Sequence, residues 1–139
     1  MRHIIQRWWH DREGTSEYVS AAVILPIVLL TTFLFLNLAF VGYAAVVSST
    51  AASQAAREAA VAQTDPVGRG VAVAQRTLSA ARGGTYTVQV IADPTPGGTV
   101  VARVTWQVPN FIPGLTRLFG MPSRYWTGTV EVNARKEGW

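Results

Sequence analysis

An uncharged stretch of 39 residues near the amino terminus constrains this chain more than any other feature. No Asp, Glu, Lys or Arg occurs from Tyr18 to Ala56. Because a helix of about 20 apolar residues crosses the hydrocarbon core of a bilayer, the stretch predicts a transmembrane helix. We place this helix at residues 18–47, where Asn37 is the only strongly polar residue. Such a chain is not an ordinary soluble domain.

The basic residues predict the orientation of this helix. Arg2, Arg7 and Arg12 precede the stretch, and only Arg57 follows within about 20 residues. Basic flanks stay in the cytoplasm, so residues 1–17 are expected to be a cytoplasmic leader and the carboxy-terminal part to lie outside the cytoplasmic membrane. A cleaved secretory signal is the alternative, but its apolar region would be only about 7 to 15 residues long.

The helix is expected to continue beyond the membrane. Residues 43–64 are rich in alanine, the best helix former, and contain neither Gly nor Pro. A helix from Tyr18 to Gln63 would measure roughly 69 Å at about 1.5 Å per residue, more than twice the hydrocarbon thickness. Residues 48–64 are therefore expected to protrude. Their small side chains suit close packing in a helix bundle, or they reflect helix propensity alone.

Residues 65–139 are expected to form one small extracytoplasmic α+β domain. Its turn residues at 93–98 predict an antiparallel hairpin between the first two strands. Gly68 to Gly70 are interpreted as a loop, and the apolar connection at 109–125 is expected to pack over the sheet or a neighbour. The fold class is thus a long amino-terminal helix, a short second helix and a small three-stranded antiparallel sheet. Apolar periodicity places the second helix at 71–82 and the strands at 85–92, 99–108 and 126–134.

Little in the outer domain suggests catalysis. The chain has no cysteine, and its only histidines, His3 and His10, precede the apolar stretch. We therefore expect no enzyme activity, cofactor, metal or small-molecule substrate. From residue 63 onward the chain has eight basic and four acidic residues. This excess could bind an anionic polymer or lipid, but a basic face that is simply solvated is the favoured interpretation. Trp106 and Trp126 are expected in the core rather than stacked on a nucleic acid or sugar.

The sequence contains EYVSAAVILPIVLL at 17–30, AASQAAREAAVAQ at 51–63, VTWQVPNFIPGLTRLFG at 104–120 and GTVEVNARKE at 128–137. With these segments the chain resembles the TadE-like family, the minor pilins or pseudopilins of bacterial tight-adherence (Tad/Flp) type IV pilus systems. The resemblance covers nearly the whole chain. It implies assembly through the amino-terminal helix and a role in pilus biogenesis, adhesion or secretion. The implied partners are the membrane, other pilus subunits, the Tad assembly machinery and a prepilin peptidase.

The resemblance gives roles to residues at the amino-terminal edge of the apolar stretch. Gly14 and Thr15 would flank the processing site, although Gly14 precedes Glu17 by three residues, a shorter spacing than the family's usual one. Glu17 and the adjoining Tyr18 would act in assembly, with the Glu17 carboxylate neutralised by a neighbouring subunit's terminal amine. The alternative is that Glu17 complements the positive end of the helix dipole.

Two residues inside the stretch are also assigned to assembly. Pro26 interrupts the helical hydrogen-bond ladder and is expected to kink or loosen the helix, unless it is simply a tolerated membrane proline. Asn37 is expected to hydrogen-bond another helix in the bilayer or its own backbone.

Two other functions remain open at the level of sequence. The first is a single-pass anchor that presents a small binding domain to cell-wall polymer or to a protein partner. The second, a membrane-tethered hydrolase, is much less favoured, because residues 65–139 contain no histidine, cysteine or paired-carboxylate motif.

Overall fold

The computed structural model describes residues 2–121 and 124–137, with side chains from Ser16 onward in those ranges. Its α+β fold confirms the predicted class, with a long amino-terminal helix, a short second helix and a three-stranded antiparallel sheet. The elements are α1 (Arg2–Val61), α2 (Pro66–Ser79), β1 (Thr85–Ala92), β2 (Thr99–Pro109), α3 (Pro113–Leu118) and β3 (Tyr125–Arg135).

The chain divides into two compact units, and the boundary falls inside α1 between Leu36 and Asn37. In the first unit every side chain from Ser16 to Leu36 is exposed, and α1 continues through Pro26. Within the described residues, the Ser16–Val61 part of α1 is the one helix long and apolar enough to cross a membrane. None of its most apolar window is buried in the protein.

The sheet of the second unit has the order β1-β2-β3, and both pairings are antiparallel. The register aligns Val104 at the centre of β2 with Val88 on one side and Val130 on the other. Because alternate residues point to opposite faces, this register places most apolar residues of the three strands on one face, while Ile91 and Val101 lie on the other. The predicted strands are confirmed, and β2 and β3 extend slightly beyond the predicted limits.

The carboxy-terminal half of α1 covers this apolar face with small side chains. We call the buried alanines in this half of α1 the alanine face. They share one core cluster with buried valines of the sheet, such as Val100 and Val104. The alanines are therefore neither a free surface for a helix bundle nor a product of helix propensity alone; they are core residues of this unit. Those with no exposed surface are Ala51, Ala52, Ala55, Ala56 and Ala59.

Helix α2 begins earlier than predicted, so the interpretation of residues 68–70 as a loop is wrong. The Asp65 side chain accepts a hydrogen bond of 3.0 Å from the Gly68 N–H, and Pro66 occupies the first helical turn. Both features stabilise a helix amino terminus, since the cap satisfies a free N–H and proline has none to satisfy. Asp65 and Pro66 therefore mark the start of α2 as well as the end of the connection between α1 and α2. The helix ends at Ser79, before the predicted limit.

A glycine inside α2 allows this helix to approach α1 closely. A Cβ atom on Gly70 would lie 3.0 Å from the carbonyl oxygen of Ala55 and 3.1 Å from the Cβ of Ala59. Any larger residue would push the two helices apart, so the helix-weakening effect of glycine is offset by tight packing.

The connection after β2 contains the helix α3, which the periodicity does not reveal. The connection was expected to pack over the sheet or over a neighbour, and the first alternative is wrong for its most apolar part, because Leu118 is 82% exposed and Phe119 is 70% exposed. Packing over a neighbour stays a prediction. Pro113 lies in the first turn of α3, and Gly120 follows the helix with a φ of +67°, a conformation suited to glycine. Helix signals shorter than two turns carry too little periodicity to be recognised.

Candidate functional site: the apolar segment and the apolar loop

The apolar segment, residues 16–36, is the first of two surfaces with functional potential. Its side chains are exposed all around the helix, including Tyr18, Leu25 and Phe35. A helix that is apolar on every side is stable only when lipid or other protein surrounds it. The segment is therefore suited to a bilayer, to a helical assembly, or to both in turn.

Glu17 lies near the start of this segment but far inside α1. Since α1 begins at Arg2, Glu17 is well beyond the first turn, where the helix dipole acts. The dipole therefore does not account for this carboxylate in the full-length chain. Among residues whose side chains are described, Glu17 makes no ion pair. Gly14 and Thr15 lie within the backbone of α1, and their side chains are outside the described residues.

The structure does not gather the residues expected to act in assembly into one pocket. Glu17 and Pro26 are nine positions apart on α1, which corresponds to roughly 13 Å along a helix. Tyr18 and Pro26 are exposed on the first unit, whereas Asn37 belongs to the second. Glu17, Tyr18 and Pro26 therefore lie on an exposed helix surface, which the buried Asn37 does not share.

Asn37 is 3% exposed, and one of its hydrogen-bond partners comes from the connection after β2. Its side-chain oxygen accepts a bond of 3.1 Å from the Phe111 N–H. This contact differs from both expected ones, which were another helix in the bilayer or the Asn37 backbone. Nearby, the rings of Phe40 and Phe111 pack with centroids 5.4 Å apart. The start of the second unit's helix is thus fastened to the segment that follows β2.

That segment, which we call the apolar loop (residues 110–121), is shaped by buried polar contacts. The Asn110 side chain donates a bond of 2.7 Å to the Thr116 hydroxyl and accepts one of 3.0 Å from the Ile112 N–H. The Asn110 N–H donates to the carbonyl of Arg124 across the base of the loop. Because buried polar groups fix geometry when satisfied, α3 is held in a defined position. Sequence reasoning missed this role, although asparagine before a proline-containing turn is its signal.

A cavity of about 420 Å³ lies beside α3. It is lined by Asn110, Pro113, Gly114, Arg117 and Arg124, so two guanidinium groups border it. Guanidinium groups bind carboxylate and phosphate oxygens through paired N–H donors. The cavity can therefore accept an anionic group at the edge of the apolar loop.

Within the part of the chain that the structure describes, the core near the aromatic residues contains polar atoms without hydrogen-bond partners. The hydroxyl groups of Ser48 and Tyr86 and the indole N–H of Trp126 are buried in this way. Burial raises the pKa of the Tyr86 hydroxyl, and Tyr43 adds to the shift. Trp106 is 8% exposed and belongs to the same core, which confirms its expected structural role. Trp126 is partly buried against this cluster.

Within the described residues, no group of three His, Cys, Asp or Glu side chains could hold a metal ion. Comparisons with models of known families, with curated proteins and with solved structures find no match.

Proposed function

We propose that this protein is a pilus-assembly subunit, a TadE-like minor pilin or pseudopilin of a tight-adherence (Tad/Flp) system. Before assembly the apolar segment holds it in the cytoplasmic membrane, with the amino terminus inside. The second unit, which we also call the folded unit, lies outside. During assembly the same segment packs against the helices of other pilus subunits. The protein acts in pilus biogenesis, adhesion or secretion and carries out no reaction of its own.

The observation that supports this proposal is the division of α1. Large apolar side chains are exposed along residues 16–36, whereas the alanine face is buried against the sheet of the same chain. A subunit that assembles through its helix needs this arrangement, because the folded unit must be complete while the apolar segment remains available. The protein partners of the helix are therefore expected along residues 16–36 and not along the alanine face.

Glu17 favours an assembly subunit over a plain anchor. A carboxylate at the start of an apolar segment opposes insertion and gives an anchor no benefit. If a prepilin peptidase cuts after Gly14, Thr15 becomes the first residue and Glu17 the third. The carboxylate then lies in the first turn of the shortened helix, where it can pair with the terminal amine of a neighbouring subunit.

Removing Glu17 tests this function in a host that carries the pilus machinery. Glu17→Ala is expected to remain in the membrane but to lose co-purification with other pilus subunits. Glu17→Asp retains the charge and should retain part of the association. Glu58→Ala is the matched control, because it removes a half-buried carboxylate of the same helix, whose 3.6 Å ion pair with an exposed Arg69 side chain contributes little to stability.

Processing is tested separately by Gly14→Leu, which puts a bulky side chain at the proposed cleavage site. Mass spectrometry should find Thr15 as the first residue of the wild type and Met1 as the first residue of the variant. If the wild type begins at Met1 and Glu17→Ala associates normally, the protein is a single-pass anchor that presents its folded unit to a partner.

A further inference from the structure

The apolar loop is an unexplained surface of the folded unit. It exposes large apolar side chains around α3, although a buried hydrogen bond of 2.7 Å joins the Asn110 side chain to the Thr116 hydroxyl beneath them. Clustered apolar side chains on a surface mark sites of interaction with lipid or protein. The exposed members are Phe111, Leu118, Phe119 and Met121.

The position of this loop along the chain indicates what covers it. Residues 16–36 would measure roughly 31 Å as a helix, close to the hydrocarbon thickness of about 30 Å. If this segment spans the bilayer, the membrane surface lies near Asn37. The apolar loop is fastened to α1 at that level, through the hydrogen bond from Phe111 to Asn37 and the ring contact with Phe40. It therefore meets the headgroup region.

The charges around the loop also suit contact with a membrane surface. Residues 110–121 contain no acidic residue, and Arg117 and Arg124 border the cavity beside α3. Basic side chains next to apolar ones are typical of segments that lie in a membrane interface. There the apolar groups enter the acyl boundary and the cations bind anionic headgroups.

We propose that the apolar loop docks on the outer leaflet of the membrane that α1 spans. Leu118 and Phe119 insert at the boundary between headgroups and acyl chains, and Arg117 and Arg124 bind the phosphate of an anionic phospholipid. The folded unit is then attached to the membrane at two points, α1 and α3. This inference depends on the proposed membrane placement of α1 and is independent of pilus assembly.

Depth measurements on the full-length chain in lipid nanodiscs test the docking. The chain has no cysteine, so single cysteines can carry a spin label without other changes. Phe119→Cys reports the loop, Ile91→Cys reports an exposed apolar position on β1, and Val28→Cys reports the span. The label at 119 is expected roughly 5–10 Å below the headgroup surface, protected from a water-soluble relaxation agent. The label at 91 is expected to be fully accessible to that agent.

Lipid charge tests the role of the arginines. In nanodiscs made of equal parts phosphatidylcholine and phosphatidylglycerol, the label at 119 should lie deeper than in phosphatidylcholine alone. The double variant Arg117→Gln, Arg124→Gln should abolish this difference, since neither glutamine binds an anionic headgroup as a cation. Both arginines are exposed, so their replacement leaves the fold intact.

Three outcomes overturn the proposal, and they can be distinguished from one another. A water-accessible label at 119 with a buried label at 28 refutes docking while the membrane placement stands. Water-accessible labels at both positions refute the placement itself. A label at 119 that becomes protected only when several copies share one nanodisc identifies the loop as a contact between protein molecules rather than with lipid.

Discussion

The two halves of α1 use side-chain size in opposite ways. Residues 16–36 carry Leu, Ile, Val and Phe side chains that are exposed, whereas the alanine face between Ala44 and Ala60 carries small side chains that are buried. Hydrophobicity alone would predict the reverse, because the larger side chains gain more from leaving water. The space beside the sheet therefore decides which side chains of the helix are buried within the chain. The large side chains remain available for contact with lipid or with other proteins.

Asn37 marks the change from one half to the other. It is the first residue of the second unit and is almost completely buried by that unit. The expected transmembrane limits of 18–47 therefore include residues that pack into the folded unit, such as Ala44. Counting uncharged residues cannot separate a lipid-facing helix from one that faces its own sheet, since both lack charges.

The largest expected effect comes from placing a carboxylate in each half. Ala55→Asp buries an unpaired charge, which costs several kcal/mol and is comparable to the whole stability of a small unit. It should unfold the second unit without preventing membrane insertion. Leu29→Asp should do the opposite, because a carboxylate at the centre of a span costs about 2.5–3.5 kcal/mol of insertion.

Two separate measurements check this reversal. Protease sensitivity of the β strands reports folding, and carbonate extraction of the membranes reports insertion. Ser49→Asp, at an exposed position of α1, is the control and should leave both measurements unchanged. Unfolding by Leu29→Asp, or loss of insertion by Ala55→Asp with the strands intact, would contradict the division of α1.

A smaller effect is expected when size is changed without adding charge. Ala55→Leu overfills the core cluster, in which Ala55 has no exposed surface, so it should destabilise the second unit by about 1–3 kcal/mol. Leu29→Ala should change insertion by less than about 1 kcal/mol, because each leucine contributes little to the span. Hydrogen exchange of the β2 amides measures the first change. Equal tolerance of both substitutions would show that the alanine face is loosely packed.

Removing the polar group at the boundary should have a local effect. Asn37→Leu makes the helix more apolar but leaves the Phe111 N–H without its side-chain acceptor, which costs about 1–2 kcal/mol. Hydrogen exchange of the Phe111 amide should increase while the amides at the centre of β2 keep their protection. Asn133→Leu, at an exposed position on β3, is the control. Unchanged exchange at Phe111 would show that Asn37 does not hold the loop.

These contrasts explain how far the sequence alone could predict the structure. The alternation of Val104, Trp106 and Val108 with polar neighbours defined β2, because one face of a sheet must be buried. The function of the alanine face was not predictable, since alanine favours a helix whether it contacts solvent, a sheet or another subunit. The partner of Asn37 depends on a contact with Phe111, 74 positions away, which no local pattern encodes.

The candidate site was predictable only in its simplest part. The uncharged stretch identified the apolar segment, because charges are excluded from a membrane-spanning helix over its whole length. The apolar loop was recognised as unusually apolar, but its exposure could not be foreseen. Whether Leu118 faces the sheet or solvent depends on the buried contacts of Asn110, which are tertiary interactions.

The smallest expected effect concerns the turn at the opposite end of β2 from the apolar loop. The Asp93 carboxylate accepts hydrogen bonds of 2.9 Å from the Thr95 N–H and 2.7 Å from the Thr95 hydroxyl, which lower its pKa, and Lys136 lowers it further. A depressed pKa in the folded state means that the charged form stabilises the turn. This contribution is complete above the ordinary pKa of aspartate and is lost as the pH falls through the lowered value.

An NMR titration of the Thr95 amide in the full-length chain should therefore show a midpoint below the usual range of an aspartate, followed by loosening of the turn. Asp93→Asn should remove this transition, because an amide does not titrate. Glu137→Gln is the control and should leave it in place. If the transition at Thr95 survives Asp93→Asn, another group governs this turn. The pH response should not extend to the Phe111 amide, because packing and an uncharged asparagine hold that end of the unit.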